Sequence, residues 1–370
     1  MKLIYVANVR IPDEWAHGIQ IMKMCEAFSK QGAEVEFLTA ARRGKIKDEP
    51  FDYYGVKKIF KLIQLPALDF LPGSPSAWYF WWRTAVFLFF TKLFLSFKRY
   101  DILYAREQAI GLAFSNFVLE IHSLPEHIRP WHRKVWRKAA KLVVLTSFIK
   151  EQLIAEGIDG DKIMVAPDGV SLEDFDVKAT KEELLQELGL PLDKKIIMYA
   201  GSFYLHDWKG TDILLESIKY FSPDWLLVLV GGEEREIEQI RKNYGSANVF
   251  LPGRQPHQKI PRYLKVADVL VLPNKKGEKI SEKYTSPLKL FEYMAAGVPI
   301  VASDLPSIRE ILSDTNAVLV APNESLKLAE GIKKTLMDKE TAAQRAVQAW
   351  SDVQNYTWSV RAEKIISAIK

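Results

Sequence analysis

The chain has 370 residues, more than one hydrophobic core ordinarily sustains, so two domains of common size are expected. Hydrophobic residues make up 48% and charged residues 26%, which excludes a disordered or low-complexity chain. A net charge of +5 is too mild to argue for nucleic acid, a single cysteine (Cys25) excludes an intramolecular disulfide framework, and the chain starts on a strand-like run rather than a signal segment, so a cytoplasmic location is expected.

Residues 2–9 form an apolar run ending in a loop, and residues 18–30 then carry apolar side chains at helical spacing until Gly32. Further strands are predicted at 35–39, 102–105, 117–122, 142–146 and 163–167, with helical stretches between most of them. Segment 78–97 is dense in aromatic residues and about as long as a membrane span, but Arg83 and Lys92 interrupt it. Charges at the centre of a bilayer are costly, so a helix docked on the sheet or lying at a membrane surface is predicted there.

After Asp168 and Gly169 the pattern gives way to a polar stretch, read as a linker over 173–193 with one short helix. The alternation restarts with strands at 195–201, 225–230, 249–251, 269–273, 299–303 and 317–320, and with helices at 210–220, 233–244, 260–266, 287–296 and 325–337. Alternation of this kind implies parallel sheets covered on both faces. The expected architecture is therefore α/β: a first doubly wound domain over 1–172, a second over 194–355, and a last helix over 356–370 packing back on the first. Ligands of such sheets sit outside the carboxyl ends of the strands, so two such domains facing each other would form a cleft.

The stretch from Tyr284 through Thr285, Ser286, Pro287, Leu288, Lys289 and Glu292 to Gly297 carries the most chemistry. Ser286 is expected as a helix N-cap, Pro287 as the first helical residue and Gly297 as the stop. Lys289 then falls in the first turn, where the positive end of the helix dipole disfavours a cation. A phosphate held by the free N–H groups and by Lys289 would remove that conflict. Glu292, three residues on and on the same face, is placed to accept from sugar hydroxyls. A capped surface helix with a Lys–Glu pair is the other reading of these residues. Gly201, Ser202 and Phe203, followed by Trp208, Lys209 and Gly210 ahead of another helix, repeat the same logic.

These residues resemble the donor-binding domain of glycosyltransferase family 4, enzymes of GT-B fold that transfer a sugar from a nucleotide donor with retention at the anomeric carbon. Lys209 and Gly210 resemble the family's Lys-Gly pair, and Glu292 with Ala295, Ala296, Gly297, Pro299, Ile300 and Val301 resembles its acidic helix and following strand. Thr146 with Ser147, Asp168 through Val170, and residues 18–32 extend the likeness over nearly the whole chain. The resemblance implies that Lys209 and the backbone of Ser286, Pro287 and Leu288 hold the diphosphate, with Thr285 and Ser202 beside it, and that Glu292 binds the ribose. It also implies that His122 stands near the transferred sugar and that Gly18 lets the first loop approach the phosphates.

Two positions depart from the family pattern: Tyr284 stands where the first of its paired glutamates is usual, and Ser202 where an arginine is usual. Lys289 is expected to supply the missing positive charge. Neither a metal nor another cofactor is expected, because Asp159, Gly160 and Asp161 read as a turn and the leaving phosphate itself is expected to help take the acceptor's proton.

Arg129, Trp131, His132, Arg133, Lys134, Trp136, Arg137 and Lys138 mix cations with tryptophan, the composition of an interfacial helix. A peripheral contact with an anionic membrane and a lipid-linked acceptor or growing surface glycan are expected; nucleic acid is not, since no binding motif accompanies the cations. The expected activity is thus a retaining glycosyltransferase. A GT-B-fold nucleotide-sugar epimerase and a non-catalytic nucleotide-sugar-binding scaffold subunit are the alternatives.

Overall fold

The computed structural model describes residues 1–42, 44–68, 76–203, 207–245 and 248–370. It falls into two compact units, Met1–Pro167 together with Trp358–Lys370, and Asp168–Thr357.

The first unit alternates β1 (Lys2–Val6), α1 (Ala16–Lys30), β2 (Glu34–Ala40), α2 (Pro50–Tyr54), β3 (Lys61–Leu65), α3 (Ala77–Leu95), β4 (Ile102–Ala105), α4 (Ile110–Ala113), β5 (Val118–Ile121), α5 (Pro130–Lys138), β6 (Lys141–Val144), α6 (Ser147–Ala155) and β7 (Ile163–Val165). Its strands pair in parallel in the order β3-β2-β1-β4-β5-β6-β7. Central strands such as β5 are buried along their whole length, as expected when crossover helices cover both faces. Among the described residues no helix is long and apolar enough to cross a membrane. Helix α3 instead buries one stripe, Tyr79, Thr84, Phe87, Thr91 and Leu95.

The second unit contains α7 (Lys181–Glu187), β8 (Lys195–Ala200), α8 (Thr211–Ser217), β9 (Trp225–Val230), α9 (Glu234–Tyr244), β10 (Val249–Gly253), α10 (Ile260–Val266), β11 (Val269–Leu272), α11 (Leu288–Ala296), β12 (Ile300–Ser303), α12 (Pro306–Arg309), β13 (Val318–Val320), α13 (Ser325–Met337) and α14 (Lys339–Val353). Its parallel sheet runs β10-β9-β8-β11-β12-β13. Side chains alternate across a strand, so β8 feeds Ile196, Met198 and Ala200 to the core on one face and Ile197 and Tyr199 to the core on the other.

Two expectations need correction. The stretch 173–193 is not a linker: Phe175, Leu184, Leu185 and Leu190 are buried in the second unit's core, and Thr180 and Glu183 form a capping box for α7. The passage between units falls at Pro167–Asp168 rather than after residue 172. Strand β3 and helix α14 did not register in the sequence pattern. The first is a half-exposed edge strand, and the second buries a stripe of small residues, Ala342, Ala346 and Ala349, with Val353. The last helix, α15 (Trp358–Ile369), belongs to the first unit, where Gln31 Nε2, at the end of α1, donates to Ser359 Oγ at 3.0 Å.

Candidate active site

In the second sheet β8 pairs with both β9 and β11, so the strand order reverses there, and the carboxyl ends of β8 and β11 border the natural ligand crevice. Strand β8 runs into Gly201, whose φ of +144° suits glycine alone. A Cβ there would stand 2.6 Å from Lys289 Nζ. Gly210, at φ +70°, lets the turn carrying Lys209 lie against the end of β11, since a Cβ would stand 1.8 Å from the Pro273 carbonyl oxygen.

Two lysines meet at this edge. Lys209 Nζ donates to Ser202 Oγ. Lys289 Nζ donates to the Tyr199 hydroxyl at 2.6 Å and lies 3.8 Å from its ring centroid. The Tyr199 hydroxyl in turn donates to the Ser202 carbonyl oxygen at 2.9 Å. Burial lowers the pKa of Lys209. Burial, and then the neighbouring charge of Lys209, hold Lys289 well below the ordinary lysine value, against the pull of Glu292. Among the described residues neither lysine is ion-paired with a carboxylate, so the edge is a desolvated cationic site that an anion would complete.

The start of α11 differs from the predicted cap. The N-cap is Pro287 (φ −70°, ψ 126°) and the helix begins at Leu288. Ser286 does not cap it, because its Oγ accepts the Asp168 backbone N–H at 3.0 Å. Leu290 N–H donates to the Pro287 carbonyl oxygen at 2.9 Å, and proline has no N–H, so the open donors here, among the described residues, are those of Ser286, Leu288 and Lys289. Of the predicted backbone trio, Ser286 and Leu288 keep an N–H without an acceptor among the described residues, and Pro287 has none to offer. Thr285 N–H donates to the Ile280 carbonyl oxygen at 2.9 Å and closes a π-helical turn, Ile280–Tyr284, on which Tyr284 sits.

Glu292 is not the partner of Lys289. Its Oε1 lies 2.7 Å from His257 Nε2, leaving Oε2 for another donor. His257 escaped the sequence reading: it follows β10, 35 positions before Glu292, with nothing local to announce the pair.

In the first unit His122 follows β5, and its Nε2 lies 2.7 Å from Glu120 Oε1. Glu120 also accepts from Gln20 Nε2 at 2.7 Å, Tyr104 Oη at 2.6 Å and an Arg361 guanidinium N–H at 2.8 Å. Burial alone would raise the Glu120 carboxyl, but Arg361 and His122 outweigh it and hold the group well below its usual range. Gly18 is the third residue of α1, in the helix predicted over 18–30. A Cβ there would stand 2.2 Å from the Tyr54 hydroxyl, which accepts the Asp13 N–H at 2.6 Å and donates to the Asp13 carbonyl oxygen at 2.8 Å. The glycine makes room for that phenol. Asp159 caps a single 3-10 turn by accepting from Asp161 N–H at 3.0 Å.

Two doubly wound parallel-sheet units, of seven and six strands, match the α/β GT-B fold. Residues 18–174 match the family model for Glycosyltransferase Family 4 and residues 180–349 that for Glycosyl transferases group 1, and the chain belongs to these glycosyltransferases. It is 25% identical over 395 residues to D-inositol 3-phosphate glycosyltransferase of Xylanimonas cellulosilytica, covering 96% of this chain and 91% of that one. It is 29% identical over 247 residues to phosphatidyl-myo-inositol mannosyltransferase of Mycobacterium leprae, covering 65% of this chain and 60% of that one. Among solved structures, sucrose-phosphate synthase of Thermosynechococcus elongatus superposes with a TM-score of 0.79 at 17% identity, covering 99% of this chain and 97% of that one. HepE of Anabaena in complex with UDP-glucose superposes at 0.76 with 18% identity, covering 100% and 99%. At these identities the structural likeness concerns the fold.

Proposed function

We propose that the protein transfers a hexosyl group from a nucleoside diphosphate sugar to an acceptor, with retention at the anomeric carbon. The observation that carries this reading is the pair of desolvated lysines, Lys209 and Lys289, beside the open N–H groups of Leu288 and Lys289. As the anomeric carbon becomes oxocarbenium-like, the leaving diphosphate gains negative charge, and preorganised cations and N–H donors stabilise that charge most where water is excluded. Tyr199 and Ser202 hold the two ammonium groups at the end of β8. Glu292, with one oxygen held by His257, offers the other to the ribose hydroxyls. The lysines supply the charge for which other phosphoryl-handling sites use a divalent cation, so turnover needs no metal.

The acceptor in this proposal is lipid-linked or a growing surface glycan, met by a peripheral enzyme on the inner face of the membrane through the cations of α5. The test is donor consumption with uridine, guanosine and adenosine diphosphate sugars, with and without membrane extract. Acceptor-dependent product with unchanged anomeric configuration is expected. Interconversion of the donor sugar without acceptor would replace the reading with an epimerase, and binding without turnover would replace it with a scaffold subunit.

A further inference from the structure

Helix α3 breaks the usual rule for a surface helix. It buries only the stripe of Tyr79, Thr84, Phe87, Thr91 and Leu95, yet its outward side is not polar. Trp78 (59% exposed), Trp81 (41%), Trp82 (41%), Phe89 (63%) and Leu93 (47%) all keep exposed surface, Trp82 with its Nε1 donating to the Leu68 carbonyl oxygen at 3.4 Å. At about 100° per residue these five positions, with Ala85 and Lys92 among them, fall within roughly a third of the helix circumference. Large aromatic side chains bury about 150–250 Å² each. Half-exposed, the five leave an apolar area on the order of several hundred Å², the size at which exposed surface marks an interface.

The charges around this arc are of one sign. Residues 77–99 contain Arg83, Lys92, Lys98 and Arg99 and no acidic residue, with Lys98 paired to Glu36 at 3.2 Å. Lys92 lies on the exposed arc itself, with a stem long enough to carry its ammonium up to a polar boundary. The Trp81 ring meets the Trp131 ring of α5 edge to face, with centroids 5.8 Å apart, so the two helices share one surface. Helix α5 adds the exposed cations Arg129, Lys134 and Arg137, whereas Arg133 is held by Glu156 and Lys138 by the Gly111 carbonyl oxygen.

We propose that the outward arc of α3 inserts into the interfacial layer of an anionic lipid bilayer, with α5 as its cationic flank. This rests on the membrane-located acceptor proposed above and specifies the element that enters the lipid. Tryptophan-rich apolar arcs rimmed by lysine and arginine suit the headgroup boundary. A second copy of the chain fits less well, since pairing α3 with α3 would set like charges against each other.

The test uses the full chain with phosphatidylcholine vesicles, with and without phosphatidylglycerol, and a triple variant, Trp81→Ser with Phe89→Ser and Leu93→Ser. All three sites are exposed, so the variant should keep its circular dichroism spectrum and the thermal shift given by donor nucleotide. The wild type should float with the anionic vesicles, and brominated acyl chains should quench its tryptophan fluorescence. The variant should bind about tenfold more weakly or worse, with the quenching lost. Equal flotation and quenching of the two proteins would overturn the insertion surface. Absence of wild-type binding at low salt would overturn the membrane contact as well. A lipid-free wild-type dimer that the triple variant dissolves would assign the arc to a second copy. In each case a retained donor thermal shift separates a failed membrane site from a failed glycosyltransferase reading.

Discussion

Lys289 is the residue on which the proposed chemistry turns. Its amino group is partly buried, stands near Lys209 and leans on the Tyr199 hydroxyl, and desolvation with the Lys209 charge holds its pKa well below the ordinary 10.5 in the ligand-free protein. A bound diphosphate favours the charged form. Donor binding should therefore take up a proton, and affinity should fall as pH rises from the lowered value toward 10.5. Calorimetry in buffers of different ionisation enthalpy measures this uptake, and no uptake at any pH below 10.5 would contradict it. The sign for stability is the reverse of a lysine with a partner: in that window the unfolded chain holds more protons, so rising pH stabilises the ligand-free fold through this group. Lys289→Ala should weaken donor binding about tenfold or more, the loss of one charge-assisted hydrogen bond. Unchanged affinity and turnover would remove Lys289 from the site. Ser286→Ala tests the corrected cap. The Asp168 N–H would lose its acceptor inside the second unit, costing about 1–3 kcal/mol in urea unfolding, whereas Ser286→Thr should keep most of it.

At the scale of elements, α15 is bound to the first sheet by more than apolar contact. Arg361 is 3% exposed, donates to Glu120 at 2.8 Å, and its Nε donates to the Pro167 carbonyl oxygen at 2.9 Å. Arg361→Met takes the guanidinium from the buried Glu120 carboxylate and leaves it to Gln20, Tyr104 and His122, so it should cost about 3 kcal/mol by denaturant unfolding. The pH dependence has a definite sign. The Glu120 carboxyl is lowered in the folded state, so its contribution is present above about pH 4.5 and is lost as pH falls through the folded value. The elements themselves differ in how far sequence shows them. Helix α13 and strand β9 have the bounds their periodicity predicts, because each presents large apolar residues at a regular spacing. Helix α14 hides behind alanines, whose apolar signal is weak, and β3 behind the half-exposed pattern of an edge.

At the scale of the molecule, the proposal makes turnover independent of divalent metal. Saturating EDTA should leave the rate of sugar transfer within about twofold, and a loss that magnesium restores would count against the lysines as the diphosphate's counter-charge. The sequence alone determined the alternation of strands and helices, and with it two doubly wound sheets, because periodicity is a local property that reports which faces of each element are apolar. It also placed Lys209 and Lys289 beside helix starts, Lys209 just ahead of Gly210, which caps α8, and Lys289 in the first turn of α11. Tertiary structure decided which atoms remain available. Ser286 Oγ is taken by a residue 118 positions away, Glu292 Oε1 by one 35 positions away, and Glu120 by one 241 positions away. Exposure was decided there too: the composition of α3 shows an apolar helix, but only its packing shows which arc is left outside. Hydrogen-bond partners and solvent contact depend on residues that the fold brings together across long separations, and no local pattern encodes those meetings.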